Sequence, residues 1–370
     1  MVYLTFNDPI SGVYKSQVID VLHSLNKINK SYITLISFFS LRNYLSERRK
    51  LKRLYPKSIS LPMFPKLKNW KLNAFILKLF INEEIIICRG VFATNIALAI
   101  SNTKSRIIYD GRGAVTEEYN EFNVGGDFCL NEIKHLEKNA VLKTFFRISV
   151  SSKLVEYWIN KFGYNLDKHV VIPCTLSYYK EGNHSKISRK DLNFGNDDIV
   201  IVFSGGTGLW QSYNLLIQFL EKFLLSNKKV KILFLCKENH EINSFIRKYK
   251  SRVFIKWVNF TDVFTYLSLA DYGIVVREES ITNLVSSPVK IAEYLSCGLK
   301  ILISKKIGDS SDFIVDNDLG HILDEKNLPT ISGVSIEEKK RIKNITNHYF
   351  HKKSNYIQNK FEILIHALIS

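Results

Sequence analysis

The sequence predicts an α/β chain of two Rossmann-like domains facing across a cleft, and three observations predict it. Its 370 residues are enough for about two domains with separate cores. Short apolar runs alternate with stretches of helical period through both halves, which is the grammar of βαβ units and parallel sheets. Between the halves, "TLSYYKEGNHSKISRKDLNFGND" (175–197) is polar and aperiodic and reads as a linker. The expected organisation is an N-terminal domain over 1–175, a linker over 176–197, a second domain over 198–345, and a C-terminal helix over 346–370 that returns to the first domain.

In the first half the strand-like runs are "VYLTF", "YITLISFF", "EIIIC", "RIIYD", "RISVSS" and "HVVIP", joined by long connections. In the second they are "DIVIVFS", "KVKILFLC", "RVFIKWV", "YGIVVR", "KILIS" and "GHIL". The helix after "DIVIVFS" carries Leu215, Leu216, Phe219, Leu220, Phe223 and Leu224, an apolar face with a period near 3.6. The last amphipathic stretch runs from about Tyr349 to Leu368. Doubly wound sheets bind ligands beyond the carboxyl ends of their strands, so functional residues are expected just after strands.

After the first strand, "NDPISGVYKSQV" offers Gly12 and Val13 for close approach to a ligand and Lys15 in an opening helix. After "RIIY", "DGRGAVTEEY" sets Asp110, Arg112, Glu117 and Glu118 at a strand end, as sugar-hydroxyl or catalytic groups or as a solvated turn. In the second half, Ser204, Gly205, Gly206 and Thr207 form a glycine-rich turn suited to phosphate. Arg277 follows "YGIVV" at a strand end. The stretch "NLVSSPVKIAEYLSCG" (283–298) reads as a helix with Ser286 and Ser287 as N-cap candidates, Pro288 at its first helical position and Gly298 at its C-cap. Val289, Ala292 and Leu295 recur on its buried side. Lys290 stands at the positive end of the helix dipole, where a bound anion would reverse an unfavourable contact, and Glu293 lies three residues on.

The composition is that of a folded globular chain, with 46% hydrophobic and 24% charged residues. Cys88, Cys129, Cys174, Cys236 and Cys297 are scattered and odd in number, which suits a reducing cytoplasm and no disulfide framework. His348 and His351 have ligand-like spacing but no companions, so no metal is expected. The N-terminus has no signal-peptide pattern, and "IIICRGVFATNIALAI" is too short to span a bilayer and holds Arg89. The net charge of +17 calls for a polyanionic neighbour. From Arg42 to Lys78 there are eleven Lys or Arg against one acid, Glu47. Phe64, Trp70, Phe75 and Phe80 interleave with Lys66, Lys68, Lys71 and Lys78, a pattern that fits an anionic membrane surface. The alternatives are a solvated basic loop over an ordinary core helix or, without any recognition motif to support it, nucleic acid.

The motifs "LADYGIVVREESITNLVSSPVKIAEYLSCGLKILIS", "FSGGTGLWQ", "YDGRGAVTEE" and "NDPISGVYKSQV" resemble those of bacterial GT-B fold glycosyltransferases, close to glycosyltransferase family 4 enzymes of lipopolysaccharide O-antigen and capsular polysaccharide synthesis. The resemblance implies a hexosyltransferase-like, retaining enzyme with a nucleotide-diphosphate sugar as donor, no metal and no further cofactor. It implies Glu293 on the nucleotide ribose. Ser286, Ser287 and the amides after them, with Pro288 and Val289, would hold the diphosphate, which Lys290 and Arg277 would neutralise. The implied acceptor is a lipid-linked glycan, and the implied place is the inner face of the cytoplasmic membrane. The chain departs from the pattern at Val285, where many members carry a second glutamate, at Trp210 and Gln211, where many carry a basic residue, and at Asp110, where a histidine is frequent. A sugar-nucleotide 2-epimerase on the same architecture and a non-catalytic basic membrane- or nucleic-acid-binding protein are the rival readings.

Overall fold

The structure is a computed structural model. It describes residues 1–29, 32–123, 126–177, 187–206, 211–259 and 262–369, without the side chains of 126–128. The chain divides into two compact units, one of Met1–Ser177 with Lys352–Ser370, the other Tyr178–His351. Residues 178–186 of the expected linker lie outside the described residues.

The first unit holds a parallel sheet of β1 (Val2–Phe6), β2 (Thr34–Ser40), β3 (Ile59–Met63), β4 (Ile85–Arg89), β5 (Arg106–Gly111), β6 (Phe146–Ser149) and β7 (His169–Val171). Its spatial order is β3-β2-β1-β4-β5-β6-β7. The apolar runs of these strands are buried nearly without interruption, as strands covered on both faces require. β3 was not expected from the sequence, where it lies inside the basic segment from Arg42 to Lys78. It is short, carries Pro62 and lies at the sheet edge, where proline is tolerated because one side of the strand has no partner. The run "RISVSS" also ends earlier than expected, because Ser151 accepts from the Leu154 amide at 3.0 Å and caps the next helix.

The expected last helix is two helices, Ile336–Phe350 and Asn355–Ile369. The second belongs to the first unit and gives its core Ile357, Phe361, Leu364, Ile365 and Leu368. Polar ties fix it there. Lys360 donates to the Val171 carbonyl at 2.8 Å, and Arg106 to the Leu368 carbonyl at 2.5 Å. Lys352 Nζ and Gln17 Nε2 both donate to the Thr175 carbonyl.

The second unit holds β8 (Ile199–Ser204), β9 (Val230–Leu235), β10 (Val253–Ile255), β11 (Tyr272–Val275), β12 (Lys300–Ser304) and β13 (Gly320–Leu323), all parallel, in the order β10-β9-β8-β11-β12-β13. Val200 and Val202 face one core, and Ile199, Ile201 and Phe203 the other, so β8 is sandwiched between helical layers. In both sheets the strand order reverses beside the first strand, between β1 and β4 and between β8 and β11. A doubly wound sheet opens its crevice at such a switch.

Candidate functional site

The switch between β8 and β11 gathers most of the second-unit candidates. Ser204 ends β8, and its amide donates to the Tyr294 hydroxyl at 2.7 Å. Tyr294 lies in the Val289–Ser296 helix and is fully buried. Its ring rests on Gly273 of β11, where an added Cβ would come within 2.1 Å of it. One tyrosine therefore joins the glycine turn, the central strand and the helix. Gly205 is pressed similarly: a Cβ there would lie 3.0 Å from Lys290 Nζ and 3.1 Å from the Phe203 ring. Gly206 is exposed and accepts from the Tyr213 hydroxyl at 2.9 Å. Thr207 and Trp210 lie outside the described residues.

Lys290 is buried, donates to Gln211 Oε1 at 2.8 Å and sits 4.5 Å from the centroid of the Phe203 ring. Burial pushes its ammonium down to about 7, the Arg277 charge pushes the same way, and Glu293 opposes them. Burial pushes the half-buried Glu293 carboxyl up to about 7 against the attraction of Lys290. Arg277 starts just past β11. Its amide donates to Ser304 Oγ at 2.9 Å, and its guanidinium bonds Asn283 Oδ1 and Ser286 Oγ, each at 3.1 Å.

Neither serine occupies the cap position. The helix begins at Val289 with Pro288, which has no polar side-chain group, as its cap residue. Ser286 is committed elsewhere, donating to the Asn283 carbonyl at 2.8 Å while accepting from Arg277. Ser287 and Val289 are half-buried beside it. The helix therefore sets its N-terminus, with the positive end of its dipole, next to Arg277 and Lys290, an anion-binding arrangement. At the far end Cys297 is the C-cap, and Gly298 follows with φ +81°. Gly308, with φ +50°, fits under the Ser286 carbonyl, which a Cβ would approach to 1.9 Å. Val285 is wholly buried and offers no polar group.

In the first unit, the switch between β1 and β4 assembles a different cluster. Asp110, one residue before the end of β5, lies beside Arg89 of β4, its register partner. Asp110 Oδ2 accepts from the Tyr3 hydroxyl at 2.5 Å and from Arg112 at 2.8 Å, with Arg89 at 3.9 Å. Arg89 in turn pairs with Asp8 at 2.9 Å, in the loop after β1. Asp110 is fully buried. Burial with the Asp110 charge pushes the Tyr3 phenol above its usual range, so it stays a donor. The structure does not bring Glu117 into this cluster: it pairs with Lys161 and accepts from the Tyr157 hydroxyl, both on the helix Ser152–Phe162. Gly12 opens the short helix Gly12–Tyr14, with Ser11 as its cap, and Val13 and Lys15 are exposed.

Tyr294, Gln211, Phe203, Asn283, Tyr3, Arg89 and Asp8 were not among the sequence candidates. Their roles depend on contacts between distant segments, for which the local pattern carries no signal.

No protein-family profile and no curated protein sequence matches the chain. Solved structures do. Sucrose-phosphate synthase from Thermosynechococcus elongatus is similar with TM-score 0.70 at 13% identity, over 100% of this chain and 99% of that one. HepE from Anabaena, in complex with UDP-glucose, is similar with TM-score 0.69 at 14% identity, over 99% and 100%. A Listeria monocytogenes protein described as a UDP-N-acetylglucosamine 2-epimerase is less similar, with TM-score 0.54 at 10% identity, over 98% and 90%. These likenesses show the fold: α/β, with two Rossmann-like units of the GT-B type.

Proposed function

We infer that the protein is a glycosyltransferase that takes a sugar from a nucleotide-diphosphate donor, with UDP as the leading carrier. The observation that carries this reading is the convergence of the glycine turn, Arg277, Lys290 and a helix N-terminus at one switch point. Such a place suits a diphosphate. The ligand named for HepE, UDP-glucose, supports the choice of base.

In this reading Glu293 bonds the ribose hydroxyls, and Ser204 to Thr207 with the Ser286–Val289 segment hold the phosphates. The bond from the anomeric carbon to the diphosphate breaks, an acceptor hydroxyl oxygen takes its place, and the hydroxyl proton leaves with the diphosphate. Arg277 and Lys290 stabilise the charge that grows on the leaving oxygens, a role that needs no metal. An anion beside Lys290 favours its protonated form, so binding draws a proton onto Nζ. In the first unit the acceptor meets the Gly12–Val13 turn and Arg112, which Asp110 holds in position. The acceptor class that suits the basic surface is a lipid-linked glycan of the O-antigen or capsule type, on the inner membrane face. Transfer with retention belongs to the same reading. Glu117, already paired, is the weakest of the catalytic candidates.

Calorimetric titration with UDP, GDP, dTDP and ADP tests the donor, and release of nucleoside diphosphate from the matching sugar tests the chemistry. Glu293→Ala is expected to weaken binding of the preferred diphosphate by about 1.5–3 kcal/mol, the worth of a charged hydrogen bond. An unchanged dissociation constant would falsify the Glu293 assignment. Conversion of a UDP-sugar into its 2-epimer, without an acceptor, selects the epimerase reading instead.

A further inference from the structure

The segment from Arg42 to Lys78 is only partly used by the core, and its surface side is one-sided in charge. All eleven of its Lys and Arg residues are exposed. Its one acid, Glu47, is buried, accepting from the Ile10 amide and from Lys50, both at 2.7 Å. Between 42 and 78 this face therefore presents cations and no exposed carboxylate. The apolar residues on the same segment are equally exposed. Leu41 and Phe64 leave the adjacent ends of β2 and β3, where Ser40 pairs with Met63, so they emerge side by side, with Leu45 close behind. Leu72, Phe75 and Leu79 follow at positions i, i+3 and i+7 along the helical run that starts at Leu67. Phe75 is 73% exposed and Leu79 82%. Lys71 and Lys78 lie four before and three after Phe75 and share its side. Trp70 departs from the expected aromatic row: it is buried, donates to Glu132 at 2.8 Å and anchors the run from beneath.

We propose that this face docks on a bilayer bearing anionic headgroups, with Phe75 and Leu79 seated at the boundary between headgroups and acyl chains and the flanking lysines on the phosphates. Charge complementarity selects this occupant. A second copy would set like charge against like, which is repulsive. Nucleic acid would leave Leu72, Phe75 and Leu79 against polar phosphate, with nothing gained from their exposure. An interfacial helix needs both properties on one side, apolar residues for the acyl boundary and cations for the headgroups. The inference rests on the membrane placement in the transferase reading and deepens it, and its test contains no nucleotide sugar.

The test is co-sedimentation of the full chain with vesicles of phosphatidylcholine alone or mixed with phosphatidylglycerol, at low and high salt. Wild type is expected to bind only the anionic vesicles, more weakly as salt rises. Replacing Lys66, Lys68, Lys71 and Lys78 together with Gln should weaken that binding about tenfold or more. Phe75→Ser with Leu79→Ser should remove the fraction that survives high salt. Both variants change exposed side chains and should melt at the wild-type temperature. Three results overturn the proposal: wild type that ignores anionic vesicles, variants that bind as wild type does, or a serine variant whose only change is loss of self-association in light scattering. Vesicle binding can fail while UDP binding persists, and the reverse, so the two readings fail separately.

Discussion

At the scale of single residues, Lys290 and Glu293 are held in a state that suits a ligand more than the folded chain alone. The folded Lys290 ammonium titrates near 7, against 10.5 for an ordinary lysine. Between those values the unfolded chain binds a proton that the folded chain does not. This contribution to stability is therefore present above the ordinary lysine value and is lost as the pH falls toward about 7. Lys290→Met removes the burden. It should stabilise the ligand-free protein at pH 6, where Glu293 is largely neutral, by on the order of 1 kcal/mol. The same variant should lose most of its turnover. Thermal melts at pH 6 and pH 10 test the sign, since the gain should shrink toward the higher pH. A melting temperature that falls at pH 6 would show that the amine supports the fold. Arg277, Lys290 and Glu293 were legible in the sequence because each follows a strand or sits in the first turns of a helix. The failed cap at Ser286 was not legible, because its hydroxyl is taken by an arginine nine positions back and the local pattern alone favours a cap.

At the scale of elements, one phenol ties the Val289–Ser296 helix to the glycine turn. Tyr294 touches Gly273 of β11 with its ring and the Ser204 amide with its hydroxyl, so helix position and glycine-turn position are a single adjustment. Tyr294→Phe keeps the ring and removes the bond. It should raise the donor Michaelis constant several-fold while costing about 1 kcal/mol of stability, the usual worth of one hydrogen bond. Steady-state kinetics beside a denaturant titration separate the two effects. A loss of stability with an unchanged Michaelis constant would reduce Tyr294 to a packing residue. The alternation of strands and helices was legible because buried parallel strands are long apolar runs. β3 was not, since an edge strand of five residues with a proline lacks that signature. Strand ends such as Ser151 were also displaced, because a serine fits equally a strand end and a helix cap.

At the scale of the whole molecule, two domains of one class were legible from period and length, but the registers that fix the switch points were not. Strand order follows from which helix covers which face, and no local pattern records it. The last helix shows the same limit, since its apolar stripe announces burial without naming the partner. The structure gives that partner as the first unit, where Phe361 is 1% exposed. Phe361→Ala should destabilise this unit by about 3–5 kcal/mol. Hydrogen exchange should show the loss in β1, β5 and the helix Asp20–Asn29, with β8 and β11 protected as before. Equal loss in both sets would mean that the two units unfold together.

The return of the chain to its first unit has a consequence for its birth on the ribosome. Roughly 170 residues of the second unit are synthesised between Ser177 and Lys352. At the usual pace of synthesis, the first sheet waits on the order of 10–30 s with one side of its core open. During that interval Leu22 and Leu25, on the Asp20–Asn29 helix against which the last helix packs, lack part of their cover. Until then the nascent first domain should expose apolar surface of the kind that holdase chaperones bind, and a chain truncated before Asn355 should keep that surface open.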